Sequence, residues 1–223
     1  MQGGSIKIVL VIIVTTLLSA IPAVAVPFGG VITFGTSERG SGTASETLTA
    51  YPGNVSATNV SGIAITSRWA GFYGLLGGNI LLADASNYKF FLWTVSNYTD
   101  SVVYAANDTI SDWSLKPLNN TYVPEMVLNG FDSFDLTFTQ TGVFSSNSIG
   151  PISDTPYTLT YQEGIVGILK TYALLTSDNA VNVWAGVAVQ NATSFKPGQN
   201  VDYQIIVPAS TTGTQYNFYL ELP

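Results

Sequence analysis

Residues 63–106 read IAITSRWAGFYGLLGGNILLADASNYKFFLWTVSNYTDSVVYAA. Apolar, β-branched and aromatic residues fall there in short runs, 63–76, 79–83, 88–95 and 101–106, separated by turn chemistry. Runs of this length and composition are strands, and their close spacing is the pattern of an all-β chain. Gly77-Gly78, between the first two runs, predicts a hairpin with two flexible turn residues.

The pattern continues outward. Residues 134–144 (FDLTFTQTGVF) alternate, which as a strand places Phe134, Leu136 and Phe138 on one face and Asp135, Thr137 and Thr139 on the other. Residues 157–162, 181–190, 201–207 and 215–222 are further strands. Residues 165–175 (IVGILKTYALL) read equally as one helix or as two strands. No long, charged amphipathic helix occurs, which speaks against an α/β fold with nucleotide-binding crossovers. About ten strands with turns every 8–12 residues predict a single β-sandwich, jelly-roll-like. With neither a fixed-period repeat nor a clean linker, residues 46–223 are read as one domain.

The first residues carry an export signal. Lys7 precedes an almost wholly apolar run, 8–18 (IVLVIIVTTLL), followed by the helix-breaking Pro22 and small residues at Ala23 and Ala25. These are the parts of a secretory signal helix over residues 1–25, cleaved after Ala25. The alternative is an uncleaved signal anchor, since residues 6–26 approach the roughly 20 apolar residues that span a bilayer. That anchor would be the only membrane contact. In both cases Lys7 stays inside and the bulk of the chain goes outside.

Composition excludes much. There is no cysteine, hence no disulfide, thiolate metal site or cysteine nucleophile. There is no histidine either, which removes the commonest general base and metal ligand. Only 9% of residues are charged and the net charge is −7. Beyond Lys7 the basic residues Arg39, Arg68, Lys89, Lys116, Lys170 and Lys196 stand singly, so nucleic acid is not an expected partner. A surface of Ser, Thr, Asn and Gln suits packing against copies of the chain or against sugars. Asn54, Asn59, Asn97, Asn107, Asn119 and Asn191 head Asn-X-Ser/Thr triplets and are candidate glycan acceptors, although a chain this rich in these residues also produces such triplets by chance.

Catalytic chemistry is hard to assemble. A glycosidase needs two carboxyl groups, and Asp132, Asp135 and Glu163 are the candidates, with Glu46, Asp84 and Glu125 elsewhere. Each reads better as a solvated loop charge: Asp132 and Asp135 begin a strand and Glu163 precedes Gly164 at a strand end. No calcium loop, phosphate loop or cofactor motif is present, so neither cofactor nor metal is expected. Trp69, Phe72, Tyr73, Phe90, Phe91, Trp93, Trp113 and Trp184 lie inside apolar strands and read as core rather than as a sugar-stacking platform. Arg68, the single charge in the most apolar run, reads first as the partner of a buried carboxylate, with stacking on an aromatic or an exposed pleat position as alternatives.

The segments TSRWAGFYG (66–74), NILLAD (79–84), DYQIIVP (202–208) and YNFYL (216–220) resemble a family of exported archaeal proteins without assigned activity. The overall design also resembles archaeal surface-filament subunits, the threads and bundling pili, in which one subunit's N-terminal strand completes the sheet of the next. The chain departs from type IV pilins and archaellins, because no basic-Gly/Ala processing site precedes the apolar stretch.

Residues 26–34 are uncharged and precede a Gly/Ser/Thr-rich stretch, 35–45. They read either as an ordinary first strand or as a leashed donor strand, with Val26, Phe28, Val31, Ile32 and Phe34 as its apolar side chains. The leading expectation is a non-enzymatic, extracellular or cell-surface structural subunit that forms homo-oligomers or polymers by strand exchange. The alternatives are a carbohydrate-binding, lectin-like module and, third, a two-carboxylate glycosidase.

Overall fold

The computed structural model describes residues 27–33, 35–47, 49, 52–55 and 57–223. The expected signal helix, Val26 and Phe34 lie outside the described residues. The chain is all-β. Its strands are β1 (Phe28–Gly29), β2 (Trp69–Gly74), β3 (Asn79–Ala83), β4 (Lys89–Thr94), β5 (Val102–Ala106), β6 (Leu115–Pro117), β7 (Gln140–Phe144), β8 (Ile152–Gln162), β9 (Ile165–Thr176), β10 (Asn182–Val187), β11 (Ala192–Thr193), β12 (Asn200–Val201), β13 (Tyr203–Pro208) and β14 (Asn217–Glu221). A 3-10 turn at Glu125–Val127 and one short helix, α1 (Phe134–Thr137), interrupt them.

The core follows from β5. VVYAA contains no side chain that gains by facing water, and every residue of the strand is buried. A strand covered on both faces must be interior, and β5 lies within the sheet β1-β14-β5-β10-β9-β8-β7, with β6 also paired to β9. Across β5, β10 and β9 large residues face small ones. Trp184 of β10 stands between Ala105 and Ala173, and the next residue, Ala185, stands between Tyr104 and Tyr172. One face thus holds a single indole flanked by methyl groups, and the other holds two phenols flanking a methyl group.

Each face has its own cover. β13 pairs with β2 as a separate two-stranded layer. Its Ile205 and Val207 pack with Trp184, Leu175 and Ala173, joined by Phe134 and Phe138. The two layers are in close contact at Gly186, where a Cβ would lie at van der Waals distance from Ile205. On the other face Phe144, Ile149 and Ile110 close over Tyr104 and Tyr172.

Several elements differ from the sequence expectation. Residues 165–175 are neither a helix nor two strands but one twelve-residue strand, β9. It turns back on β8 through Glu163-Gly164, both with positive φ, as a tight two-residue hairpin requires. Residues 134–137 are helical, not extended. Phe134 and Phe138 therefore meet through i,i+4 spacing and stack at 5.0 Å, while Leu136, expected on their face, is exposed. Gly77-Gly78 does not close a hairpin: β2 pairs with β13, and β3 pairs with β4. The turn that closes β3–β4 is held by Asp84, whose Oδ1 accepts the Ser86 and Tyr88 N–H groups.

Replacing Trp184, 0% exposed and central to one face, by alanine leaves a cavity that its alanine neighbours cannot fill. Trp184→Ala should lower the unfolding free energy by about 3–5 kcal/mol. Urea denaturation followed by far-UV circular dichroism checks this.

Candidate functional site

The N-terminal segment and the edge it covers form the first feature. β14 is locked into the sheet. It pairs along its length with β5, and its Glu221 turns inward, accepting the Tyr104 hydroxyl at 2.7 Å through Oε2 and the Ser148 N–H through Oε1. Burial, with the Glu221 charge beside it, pushes the Tyr104 hydroxyl well above the usual tyrosine range, so it stays a donor at any physiological pH. Among the described residues, the other edge of β14 meets only β1. Phe28 lies opposite Leu220, Gly29 lies opposite Tyr219, and Gly30 N–H donates to Phe218 O at 3.0 Å. Val31, Ile32 and Thr33 leave the ladder and are exposed.

Beyond this short contact the chain is thinly attached. Thr43 exchanges two hydrogen bonds with Ile63, and Lys196 pairs with Glu38 at 2.9 Å on the surface. An exposed pair of this kind contributes little. Of the expected donor-strand side chains, Phe28, Val31 and Ile32 are all exposed.

The candidate acids are tied to structure. Asp132 pairs with Arg68, as expected for Arg68, and also accepts the Thr66 hydroxyl. The Trp69 indole N–H and the Arg68 guanidinium bond to the Asp132 and Asn129 carbonyls, which fastens this loop to the start of β2. Gly130, with φ +104°, lets the loop pass the guanidinium, where any side chain would collide. Asp135, on α1 rather than at a strand start, accepts from Asn120, and Glu163 caps Gly198 N–H. Asp84 holds its turn, and Glu46 and Glu125 are exposed. Asp135 does share a shallow depression of about 530 Å³ with Asp154, beside Phe134 and Phe138. Both carboxyl groups are exposed there and solvated, whereas a glycosidase acid needs an apolar surround to stay protonated. Among the described residues no group of three or more acidic, cysteine or histidine side chains could hold a metal ion.

The tryptophans form no coplanar row. Trp184 is buried, Trp69 meets it edge-on at 6.1 Å, and Trp113 packs against Tyr104 and Tyr219. Trp93 stands apart on β4, exposed beside Phe91. The expectation that the strand aromatics all belong to the core fails at Phe72, Phe90, Phe91 and Trp93, which are exposed. The last three lie on the β3–β4 pair, which no layer of the described residues covers: β4 is exposed at every position and β3 at all but one. The available signal was the absence of alternation in ILL (80–82) and FFLW (90–93).

All six candidate acceptor asparagines are exposed. Asn97, Asn107, Asn119 and Asn191 each accept a hydrogen bond through Oδ1, which leaves Nδ2, the atom a glycan takes, available. No helix of the described residues is long and apolar enough to cross a membrane. Comparison of the chain with protein-family models, with curated proteins and with solved structures finds no match.

The Thr66 hydroxyl and the Arg68 guanidinium hold the Asp132 carboxyl below the usual carboxylate range. With the folded pKa depressed, this contribution to stability is fully present above the unfolded carboxyl's range, about pH 4, and is lost as pH falls through the folded value. Asp132→Asn should therefore lower the urea midpoint at neutral pH, and the gap from the parent chain should close in acid. A gap independent of pH would contradict the assignment.

Proposed function

We propose that the chain is a structural subunit of an extracellular or cell-surface assembly. After export and removal of residues 1–25, the segment 26–34 leaves its own β14 edge and completes the sheet of the next copy. The subunit body is a β-sandwich, jelly-roll-like, and polymerisation runs by strand addition. In that mode main-chain hydrogen bonds supply affinity and alternate side-chain pockets supply specificity.

The observation that carries this reading is the unequal fastening of the two partners at one edge. β14 is held by a full ladder and by the buried Glu221–Tyr104 bond, whereas among the described residues β1 adds only Phe28, Gly29 and Gly30. An edge strand this short is easily displaced by a longer stretch of the same sequence from a neighbour. The stretch between Ile32 and β2, whose described residues make few bonds to the rest of the chain, supplies reach. Low charge supports the same reading, since little electrostatic repulsion opposes close packing of copies. The carbohydrate-binding alternative lacks its main support, because three of the four tryptophans pack into or against the core.

Electron microscopy of native surface material, with intact mass of the subunit, tests the proposal. The mature chain should begin at Val26 and form filaments. Deleting residues 26–34 should abolish the filaments, and a synthetic peptide of that sequence should bind the shortened chain. Normal filaments from the deletion, or a parent chain that stays monomeric at high concentration, would overturn it.

A further inference from the structure

The β3–β4 hairpin is built like interior sheet and placed at the surface. Its register pairs Ile80 with Trp93 and Leu82 with Phe91 on one face, and Leu81 with Leu92 on the other. All six side chains are exposed, and Phe90, at the bulge, is 83% exposed. The hairpin is nonetheless held firmly at both ends. The Tyr98 hydroxyl lies 3.2 Å from both Gly78 N and Gly78 O, Asp202 accepts the Leu76 N–H, and Asp84 organises the turn. Two-stranded hairpins are marginal in water without a covered face. We infer that this hairpin is a docking arm that seats in a second copy of the chain. The inference rests on the reading that the chain assembles with itself, but not on donation of residues 26–34.

Three arguments select a second copy. Size is the first. Counted over both faces, the exposed apolar side chains of the arm offer roughly 800 Å², what one partner buries in a stable interface when it seats around the hairpin. The second is the backbone. Among the described residues β3 and β4 pair only with each other, so both outer edges have free N–H and C=O groups. Lipid cannot satisfy such groups, whereas a strand edge of another copy can. The third is what the chain itself presents. β7 ends the large sheet with a free edge carrying exposed Val143, and the β8–β9 turn exposes Ile165 and Val166. An apolar arm on one part of a chain and exposed apolar strand residues on another make a head-to-tail contact.

Trp93 is the natural reporter, being the one tryptophan on the arm. Acrylamide quenching of the residue 26–223 chain, corrected with a Trp93→Phe variant, is followed against protein concentration alongside sedimentation velocity. Trp93 should become protected as larger species appear. Phe90→Asp should raise the concentration needed at least tenfold with unchanged circular dichroism. Should that variant unfold, Tyr88→Glu, at another exposed position, gives the same readout. Protection should persist in the chain lacking residues 26–34, which separates this contact from strand donation. Quenching that never changes with concentration overturns the inference. So does protection already complete in the dilute monomer, which means the chain covers its own arm, or protection seen only on adding phosphatidylcholine–phosphatidylglycerol vesicles.

Discussion

Trp184 can occupy the middle of a sheet because the residues on both sides of it are alanines. An indole needs room that Ala105 and Ala173 leave, and the register that aligns these three across β5, β10 and β9 also sets Ala185 between Tyr104 and Tyr172. A one-residue slip of β10 would turn every one of these side chains to the other face and place the indole between two tyrosines. The covering layers depend on the same register. Ile205 and Val207 seat on the Trp184 face, and the Tyr104 face closes under Phe144 and Ile149. The Tyr104 hydroxyl then reaches Glu221, so the position of β14 is inherited from the same alternation of large and small.

Burial is concentrated in those central strands and falls away abruptly. β5 and most of β10 are closed to water, whereas β4 is exposed at every position and β3 at all but one. Regions with few buried contacts open at low free energy while the core stays shut. The N-terminal strand and the β3–β4 hairpin belong to that exposed part, which is what the proposed assembly requires of them. In both, apolar side chains with no cover in the chain itself are presented on backbone that still has hydrogen bonds to give. These are different devices, however. One is a short strand paired to an edge already formed, and the other is a hairpin whose two strands pair with each other.

Much of the sheet was legible in the sequence, because strand length and turn chemistry are local. The runs at 88–95, 101–106, 181–190 and 215–222 each contain a strand of the fold. Misreadings occurred where local pattern is degenerate. F-D-L-T-F satisfies period two and i,i+4 spacing together, and only packing of Phe134 and Phe138 against Trp184 separates them. Gly77-Gly78 has turn composition, but which strands a turn joins is a tertiary choice, and β2 found its partner in β13, far along the chain. The bonds of Asp132 to Arg68 and Thr66 were only partly legible, since Arg68 called for a carboxylate without naming one. The inward turn of Glu221 has no signature at all. Its strand reads as an ordinary C-terminal edge until Tyr104 is set opposite.

The distribution of acceptor asparagines bears on which surfaces meet. A glycan on a docking surface would hold copies apart, so a chain that assembles must keep its acceptors off its contacts. The triplets begin at residues 54, 59, 97, 107, 119 and 191, and none falls within 26–53 or 60–96. Those two gaps hold β1 with its leash and the whole β3–β4 hairpin. The acceptors cluster instead on exposed loops, where bulky, hydrated sugar would supply the solubility that so few charges cannot. Were the loop acceptors to carry glycan, as an exported chain allows, the proposed contacts at the hairpin and the N-terminal strand would be the stretches left clear for a second copy.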